Sequence, residues 1–277
     1  MAFIHMNMLS KKLMRTVPVN VILPVDKMVF PGMPVREEKP YKTLYLLHGV
    51  FGSYIDWVNG TRIQRYAEEN DLVVVMPSGD NAFYVDQPKA HNFYGEFIGE
   101  ELVEMTRKMF PLSRKREDTF IGGLSMGGYG AMRNGLRYSD TFGYIVALSG
   151  AMFIDDIPER TNDSGLFIET RDYAESCFGN LDELLESDKN PKYLIKKMKE
   201  EGKNIPQIYM ACGTEDSLRE ANLKMYDFMK RNNVDVTYEE GSGGHEWDFW
   251  DAYIKKAIEW LPTEATGNGM NSGNVGI

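Results

Sequence analysis

At residue 125 the chain changes period within a single turn. The unbroken apolar run TFIGGL (119–124) stops and the glycine-rich helical pattern MGGYGAMRNGL begins, with Gly123-Leu124-Ser125-Met126-Gly127 across the junction. An apolar run without polar alternation reads as a strand covered on both faces, and a strand running straight into a helix is the building unit of a parallel α/β sheet. A serine at such a junction takes strained backbone angles, and glycines two residues to either side let strand and helix approach closely enough for the turn to form. Its oxygen then stands at a helix N-terminus, where the dipole and free N–H groups favour a developing anion. Ser125 is therefore the candidate nucleophile. The plainer reading of the same glycines is a packing turn or a phosphate cradle. G-x-x-x-x-G-K is absent, and the G-x-G-x-x-G spacing begun at Gly128 and Gly130 meets Arg133 where its last glycine belongs.

The same rhythm runs along the chain. Residues 43–47 (TLYLL), 72–76 (LVVVM), 144–148 (YIVAL), 207–211 (QIYMA) and 236–239 (VTYE) read as further strands, and 92–109, 126–137, 218–232 and 247–260 as helices. An antiparallel hairpin is expected from 12–17 and 18–23 at the sheet edge. The expected fold is thus α/β, with a mainly parallel central sheet and helices on both faces. One domain is expected over 1–262. Within it, 153–204 breaks the strand rhythm and reads as a cap of short helices over one end of the sheet, or as a solvated decoration. Residues 263–277, rich in Gly and Asn, read as a disordered tail.

Composition narrows the partners. Of 277 residues, 31 are basic and 41 acidic, a formal charge of −10 that repels a phosphate backbone, so no nucleic acid is expected. No apolar run has the length to cross a bilayer, and the N-terminus lacks the order of a secretory signal, so a cytoplasmic protein with no membrane partner is expected. Cys177 and Cys212 have neither CxxC spacing nor a neighbouring histidine cluster, and read as buried free thiols rather than a disulfide or metal site.

A serine hydroxyl needs a base within hydrogen-bond reach, and the base an orienting acid. Among four histidines, His245 in GSGGHEW follows the last strand and precedes the last helix, satisfying the order serine, acid, histidine. His5 and His91 are weaker candidates. The acid is expected after QIYMA, at Asp216, with Glu215 as the neighbour able to replace it; both also read as helix-capping charges. The oxyanion hole needs two backbone N–H donors. Met126 supplies one, and the loop His48-Gly49-Val50-Phe51-Gly52 the other, from Val50 or, next, Phe51. His48 would organise that loop. Phe51, Trp57, Phe83 and Tyr84 read either as walls of an acyl or aryl pocket or as core.

The phrases LYLLHGVFGSYIDWV, VVVMPSGDNAFYVD, FIGGLSMGGYGAM, CGTEDSLREAN and GGHEWDFWDAYI together resemble the esterase D-like branch of the α/β-hydrolases, most closely its bacterial tributyrin esterase-like members, over about 43–261. The resemblance implies Ser125 as nucleophile, Asp216 as acid, His245 as base, and Val50 and Met126 as oxyanion donors. It implies a serine carboxylesterase acting on a small-molecule ester, acetyl or butyryl, with cinnamoyl or feruloyl also within the family, and needing no cofactor. Two alternatives stand beside it: an S-formylglutathione-type thioesterase, and a binding protein on an inactive hydrolase scaffold. The S-formylglutathione hydrolases usually carry Ser-Gly at the oxyanion loop and His before the nucleophile; His48-Gly49 and Leu124 here depart from that pattern. Self-association into a homo-oligomer is left open.

Overall fold

The computed structural model describes residues 1–28, 30–32 and 37–264. In chain order the elements begin with β1 (Ala2–Ser10), β2 (Arg15–Leu23), β3 (Lys42–Leu47), α1 (Asp56–Gly60), α2 (Ile63–Glu69) and β4 (Leu72–Pro77). The short strands β5 (Asp86–Gln87) and β6 (Asn92–Phe93) lead into α3 (Tyr94–Glu96), a π-helical stretch Phe97–Glu101 and α4 (Leu102–Met109). Then come β7 (Thr119–Leu124), α5 (Met126–Arg137), β8 (Tyr144–Leu148), α6 (Arg171–Phe178) and α7 (Pro191–Glu200). The chain continues through β9 (Gln207–Gly213), α8 (Arg219–Arg231), β10 (Val236–Gly241) and α9 (Trp247–Trp260).

Among the described residues, eight strands form one sheet in the order β1-β2-β4-β3-β7-β8-β9-β10. β2 is antiparallel to both its neighbours and every other pairing is parallel. The predicted α/β class is therefore the observed one. The central strands β3, β4 and β7 are buried almost throughout, which is why they read as continuous apolar runs. Met132 and Leu136 of α5 and Met225 and Met229 of α8 cover one face; Ile63 and Tyr66 of α2 and Ile254 and Ile258 of α9 cover the other. No helix among the described residues is long and apolar enough to cross a membrane.

Two boundaries differ from the sequence expectation. The N-terminal hairpin pairs Ala2 with Leu23 and Ser10 with Arg15, so its turn lies at 11–14 and its first strand precedes the predicted one. Phe3, His5, Asn7 and Leu9 face out and Ile4, Met6 and Met8 face in, a half-buried edge strand with one β-branched residue, Ile4, on its inward face. The Glu101 carboxylate secures the turn, accepting from Ser10 Oγ and from the N–H of Lys11 and Lys12. The helix expected over 92–109 starts at Tyr94, because Asn92 and Phe93 pair with Gln87 and Asp86. The tail predicted from 263 lies, from residue 265 on, outside the described residues.

Parallel strands end on one edge, and register brings their ends together. Leu47 lies opposite Gly123, Leu124 opposite Leu148, and Leu148 opposite Ala211. The loops carrying His48, Ser125, Ser149 and Asp216 consequently leave the sheet side by side, as open α/β sheets place their ligand sites. The segment 153–204, with α6 and α7, packs on α5 and on the 81–87 loop: Tyr173 Oη donates to Asn81 O at 2.7 Å, and the Arg133 guanidinium, fully buried on α5, pairs with Asp188.

Candidate active site

Ser125 is the N-cap of α5 at φ +53°, a left-handed angle that only a tightly constrained turn imposes on a non-glycine residue. Its own backbone is tied on both sides: the N–H donates to Leu148 O at 2.9 Å, and the carbonyl accepts from Tyr129 N–H at 3.1 Å and Ala151 N–H at 2.9 Å. The two flanking glycines are required by approach distance. A Cβ on Gly123 would lie 2.4 Å from Gly127 O, and one on Gly127 would lie 2.4 Å from Leu47 O and 2.6 Å from His48 O. The turn and the end of β3 therefore close together only without side chains at these positions.

His245, in the loop between β10 and α9, stands with Nε2 3.0 Å from Ser125 Oγ. Its Nδ1 lies 3.0 Å from Asp216 Oδ2 and 3.2 Å from Oδ1. Burial pushes the Asp216 carboxyl up, but hydrogen bonds from His245, the Leu218 N–H and Ser149 outweigh it, so the group sits below its ordinary range and is ionised at neutral pH. An ionised carboxylate only accepts, so the ring proton belongs on Nδ1 and the free lone pair of Nε2 faces the serine hydroxyl. The Trp250 ring meets the imidazole edge-on, centroids 4.9 Å apart.

Glu215, the neighbouring acid, faces elsewhere. Its Oε2 accepts the Gly243 N–H at 2.6 Å, and that bond, with one from Thr214, holds the carboxyl below its usual range. It anchors the loop that carries His245. The remaining histidines also lie elsewhere: His5 bonds Asn20 Oδ1 and stacks on Tyr54, and His91 packs edge-on to Phe93.

The loop after β3 approaches the serine from the other side. A Cβ on Gly49 would touch Leu124 Cδ1 at 2.8 Å and Ser125 Cβ at 3.4 Å, so Gly49 lies against the turn. His48 is buried beneath it, with Nδ1 2.7 Å from Gly49 O and Nε2 2.8 Å from the Gly79 N. Burial lowers its proton affinity, leaving the ring neutral. Of the two candidate donors in this loop, Phe51 is engaged: its N–H donates to Asn81 Oδ1 at 2.8 Å. The N–H groups of Val50 and Met126 have no hydrogen-bond partner among the described residues. Val50 and Met126 thus leave two free donors beside Ser125, one from each loop.

The four aromatic residues separate. Phe51 is 67% exposed on the loop at φ +65°. Trp57 and Tyr84 are scaffold and form no open pocket wall: both are buried, Trp57 Nε1 donating to Leu47 O at 2.9 Å and Tyr84 Oη to His48 O at 3.0 Å. Each turns its polar atom inward to a carbonyl at the end of β3, which brings the ring with it. Phe83 is buried among Tyr129, Tyr173 and Phe178, between α5 and α6.

Three residues with no motif to mark them also shape the site. Asn81 binds Phe51 through its side chain and Tyr173 and Cys177 through its carbonyl. Ser149 accepts the Trp250 Nε1–H at 3.1 Å. Arg133 joins the turn helix to Asp188 and Asp86; burial works against its charge, but the two carboxylates outweigh burial and hold it protonated. No group of three or more His, Cys, Asp or Glu suited to a metal ion occurs among the described residues.

Comparison with known proteins places this geometry in context. The family described as "Putative esterase" matches residues 10–261. An acetyl esterase of Caldicellulosiruptor saccharolyticus is 45% identical over 261 residues, covering 94% of this chain and 98% of its own. Among solved structures, FphF, a fluorophosphonate-binding serine hydrolase of Staphylococcus aureus, superposes with TM-score 0.82 at 35% identity over 94% of this chain and 98% of its own. The S-formylglutathione hydrolase FrmB of the same organism superposes with TM-score 0.80 at 35% identity, with the same coverage.

Proposed function

Because this chain belongs to the esterase family and is a carboxylic ester hydrolase, we propose that it cleaves short-chain acyl esters, acetyl foremost, through an acyl-enzyme on Ser125. The observation that carries this reading is the unbroken contact line from Ser125 Oγ through His245 to Asp216. In the first step His245 Nε2 takes the hydroxyl proton while Oγ bonds the ester carbonyl carbon. The carbonyl oxygen gathers the negative charge and is met by the Val50 and Met126 N–H groups. The tetrahedral species collapses, the C–O bond to the alcohol breaks, and His245 returns the proton to the leaving oxygen. Water then repeats the sequence on the acyl-enzyme, releasing the acid and restoring the serine. Asp216 holds the tautomer and offsets the imidazolium charge without taking the proton.

Acetyl is placed first because the acetyl esterase relative covers nearly the whole chain. Butyryl and feruloyl esters complete the proposed range, and the net negative charge favours neutral esters. A second reading, thioester hydrolysis, has the S-formylglutathione hydrolase structure behind it. The same attack on a thioester would release a thiol, so kinetics with S-formylglutathione and p-nitrophenyl acetate in parallel separate the two. Cys177 and Cys212 are buried free thiols, in keeping with the proposed cytoplasmic setting.

The deciding experiment is Ser125→Ala assayed on p-nitrophenyl acetate and butyrate, with fluorophosphonate labelling alongside. Folded Ser125→Ala should lose at least about 10³-fold in kcat and all labelling. Turnover at the wild-type rate would sink the assignment.

A further inference from the structure

The loop after β4, residues 78–85, belongs to no motif that acyl transfer needs, yet it braces the loop after β3 at three points. Gly79 N–H donates to His48 Nε2 at 2.8 Å, Tyr84 Oη donates to His48 O at 3.0 Å, and Asn81 Oδ1 accepts the Phe51 N–H at 2.8 Å. The bracing loop is itself strained: Asp80, Phe83 and Tyr84 take left-handed φ of +46°, +52° and +56°. Such angles persist only where the surroundings over-determine them. Here the Asp80 carboxylate accepts from Tyr94 Oη at 2.7 Å, Tyr84 O accepts from Asn134 Nδ2 at 2.9 Å, and Phe83 is buried against Tyr129 and Phe178. Asn81 thus stands on a fixed support. From the other side α6 adds two donors, Tyr173 Oη at 2.7 Å and Cys177 Sγ at 3.4 Å, to the Asn81 carbonyl.

What the Asn81 side chain does follows from the turn it meets. Gly52 N–H donates to Gly49 O at 3.2 Å, closing a four-residue turn with Val50 and Phe51 at its centre. Positive φ occurs at Phe51, +65°, and not at Val50, the type II pattern, whose third residue is ordinarily glycine or asparagine. A phenylalanine there is strained, and it returns to negative φ when the Val50–Phe51 peptide turns over, as in a type I turn. Turning that peptide over breaks the Asn81 bond, so the bond holds it as it stands. Val50 therefore lies between two anchored peptide planes. His48 Nδ1 holds the Gly49 carbonyl of the plane before it, and Asn81 the Phe51 N–H of the plane after it. With both planes fixed, the Val50 N–H keeps one direction in the loop that lies against Ser125.

We propose that Asn81 is a positioning residue for the oxyanion donor: its side-chain oxygen holds the strained Phe51 amide and so fixes the direction of the Val50 N–H. This rests on the reading of Ser125 as the nucleophile and of the Val50 N–H as a donor to the ester carbonyl oxygen. A role confined to loop stability shows in melting alone. A positioning role shows in the chemical step, and its size depends on the residue at 51.

The test is Asn81→Ala, alone and in a Phe51→Gly background, with Tyr173→Phe and Ser125→Ala alongside. Each protein is checked for cooperative melting and assayed on p-nitrophenyl acetate. Asn81→Ala should lose about tenfold in kcat with KM within about twofold, the pattern of an interaction made in the transition state. That is less than the loss of about 10²- to 10³-fold that follows outright removal of an oxyanion donor. Glycine takes the angle at 51 without strain, so in the Phe51→Gly background the same substitution should cost less than about threefold. The loss is read within each background, so any contact of the Phe51 ring with substrate cancels. Tyr173→Phe, which frees one side of Asn81, should lower kcat by about twofold to threefold at unchanged KM. Wild-type kcat in folded Asn81→Ala, a loss confined to KM, or an equal loss in both backgrounds overturns the proposal. If Asn81→Ala does not fold, Tyr173→Phe decides on the same split of kcat from KM, and wild-type kcat there overturns it. Turnover by Ser125→Ala would mean that the site reading has failed; an inactive Ser125→Ala beside a wild-type Asn81→Ala would mean that only this proposal has.

Discussion

His48 Nε2 accepts the Gly79 N–H at 2.8 Å, and that contact fixes which nitrogen of the ring carries the proton. The hydrogen must be on Nδ1, which donates to Gly49 O at 2.7 Å. In a trans peptide the carbonyl and the following N–H point in opposite directions. Holding Gly49 O against the imidazole therefore turns the Val50 N–H away from it, and Gly49 lies against Ser125. A buried histidine with no direct part in proton transfer thus sets one of the two free donors.

Replacing that ring should damage the chemical step. His48→Ala, assayed on p-nitrophenyl butyrate, is expected to lose about ten- to a hundredfold in kcat with little change in KM, because a mis-set oxyanion donor acts on the transition state. His48→Asn, whose amide can still donate towards Gly49 O, should recover part of the loss. A folded His48→Ala at the wild-type rate would remove His48 from the argument.

The same burial makes His48 a source of acid sensitivity. Its proton affinity in the folded state is lowered from the ordinary value of 6.5, mainly by desolvation. Between the two values the unfolded chain binds the extra proton, so stability is full above pH 6.5 and falls as the pH drops below it towards the folded value. Thermal melts from pH 8 to 5 should show Tm declining below 6.5 in wild type, and less steeply in His48→Asn. Parallel slopes would assign the decline to other groups.

Asp216 and Glu215 are adjacent carboxylates with different expected effects. Asp216→Asn should cost about 10³- to 10⁴-fold in kcat, since an amide favours the wrong imidazole tautomer. Glu215→Gln removes a charge that anchors the Gly243 N–H and accepts from Thr214 Oγ1, away from His245, and should cost less than about tenfold. Comparable losses in the two variants would contradict the separate roles the geometry gives them.

Arg133 tests how firmly the segment carrying α6 and α7 is attached. Its guanidinium is fully buried, with Asp188 at its tip, Asp86 at 3.7 Å and Asn134 Oδ1 at 2.8 Å. Arg133→Met should lower the unfolding free energy by about 2 to 3 kcal/mol, less than the full cost of breaking a buried pair because Asp188 is partly exposed and can be rehydrated. Hydrogen exchange should rise first around 181–190. Unchanged urea denaturation would show that the segment is held by its apolar contacts alone.

The positions that come together at 125, 216 and 245 are legible in the sequence because each stands at a change of period. Ser125 divides a strand from a helix, and Asp216 and His245 each follow a strand and precede a helix. The alternation that defines the sheet is legible for the same reason. Other features leave no such trace. Trp57 and Tyr84 are as apolar as any pocket wall, and only the inward turn of one polar atom marks them as scaffold. β1 escapes because its inward positions are Ile and Met separated by polar or exposed residues, a weak strand signature. Ser149 and Asn81 act through hydrogen bonds across long sequence separations, which no local pattern encodes.

Asn81 has one further consequence. Its carbonyl takes Tyr173 and Cys177 from α6, while its side chain takes the amide of Phe51, one residue after the oxyanion candidate Val50. The segment 153–204 and the loop after β3 are therefore not separable modules. A different segment grafted onto this sheet in place of 153–204 would leave Ser125 in its turn yet the Asn81 carbonyl unclaimed, and would have to supply its own grip on that residue before the loop beside Ser125 kept its shape. Diversification of the segment 153–204 in this scaffold is coupled, through one asparagine, to the geometry of the loop beside Ser125.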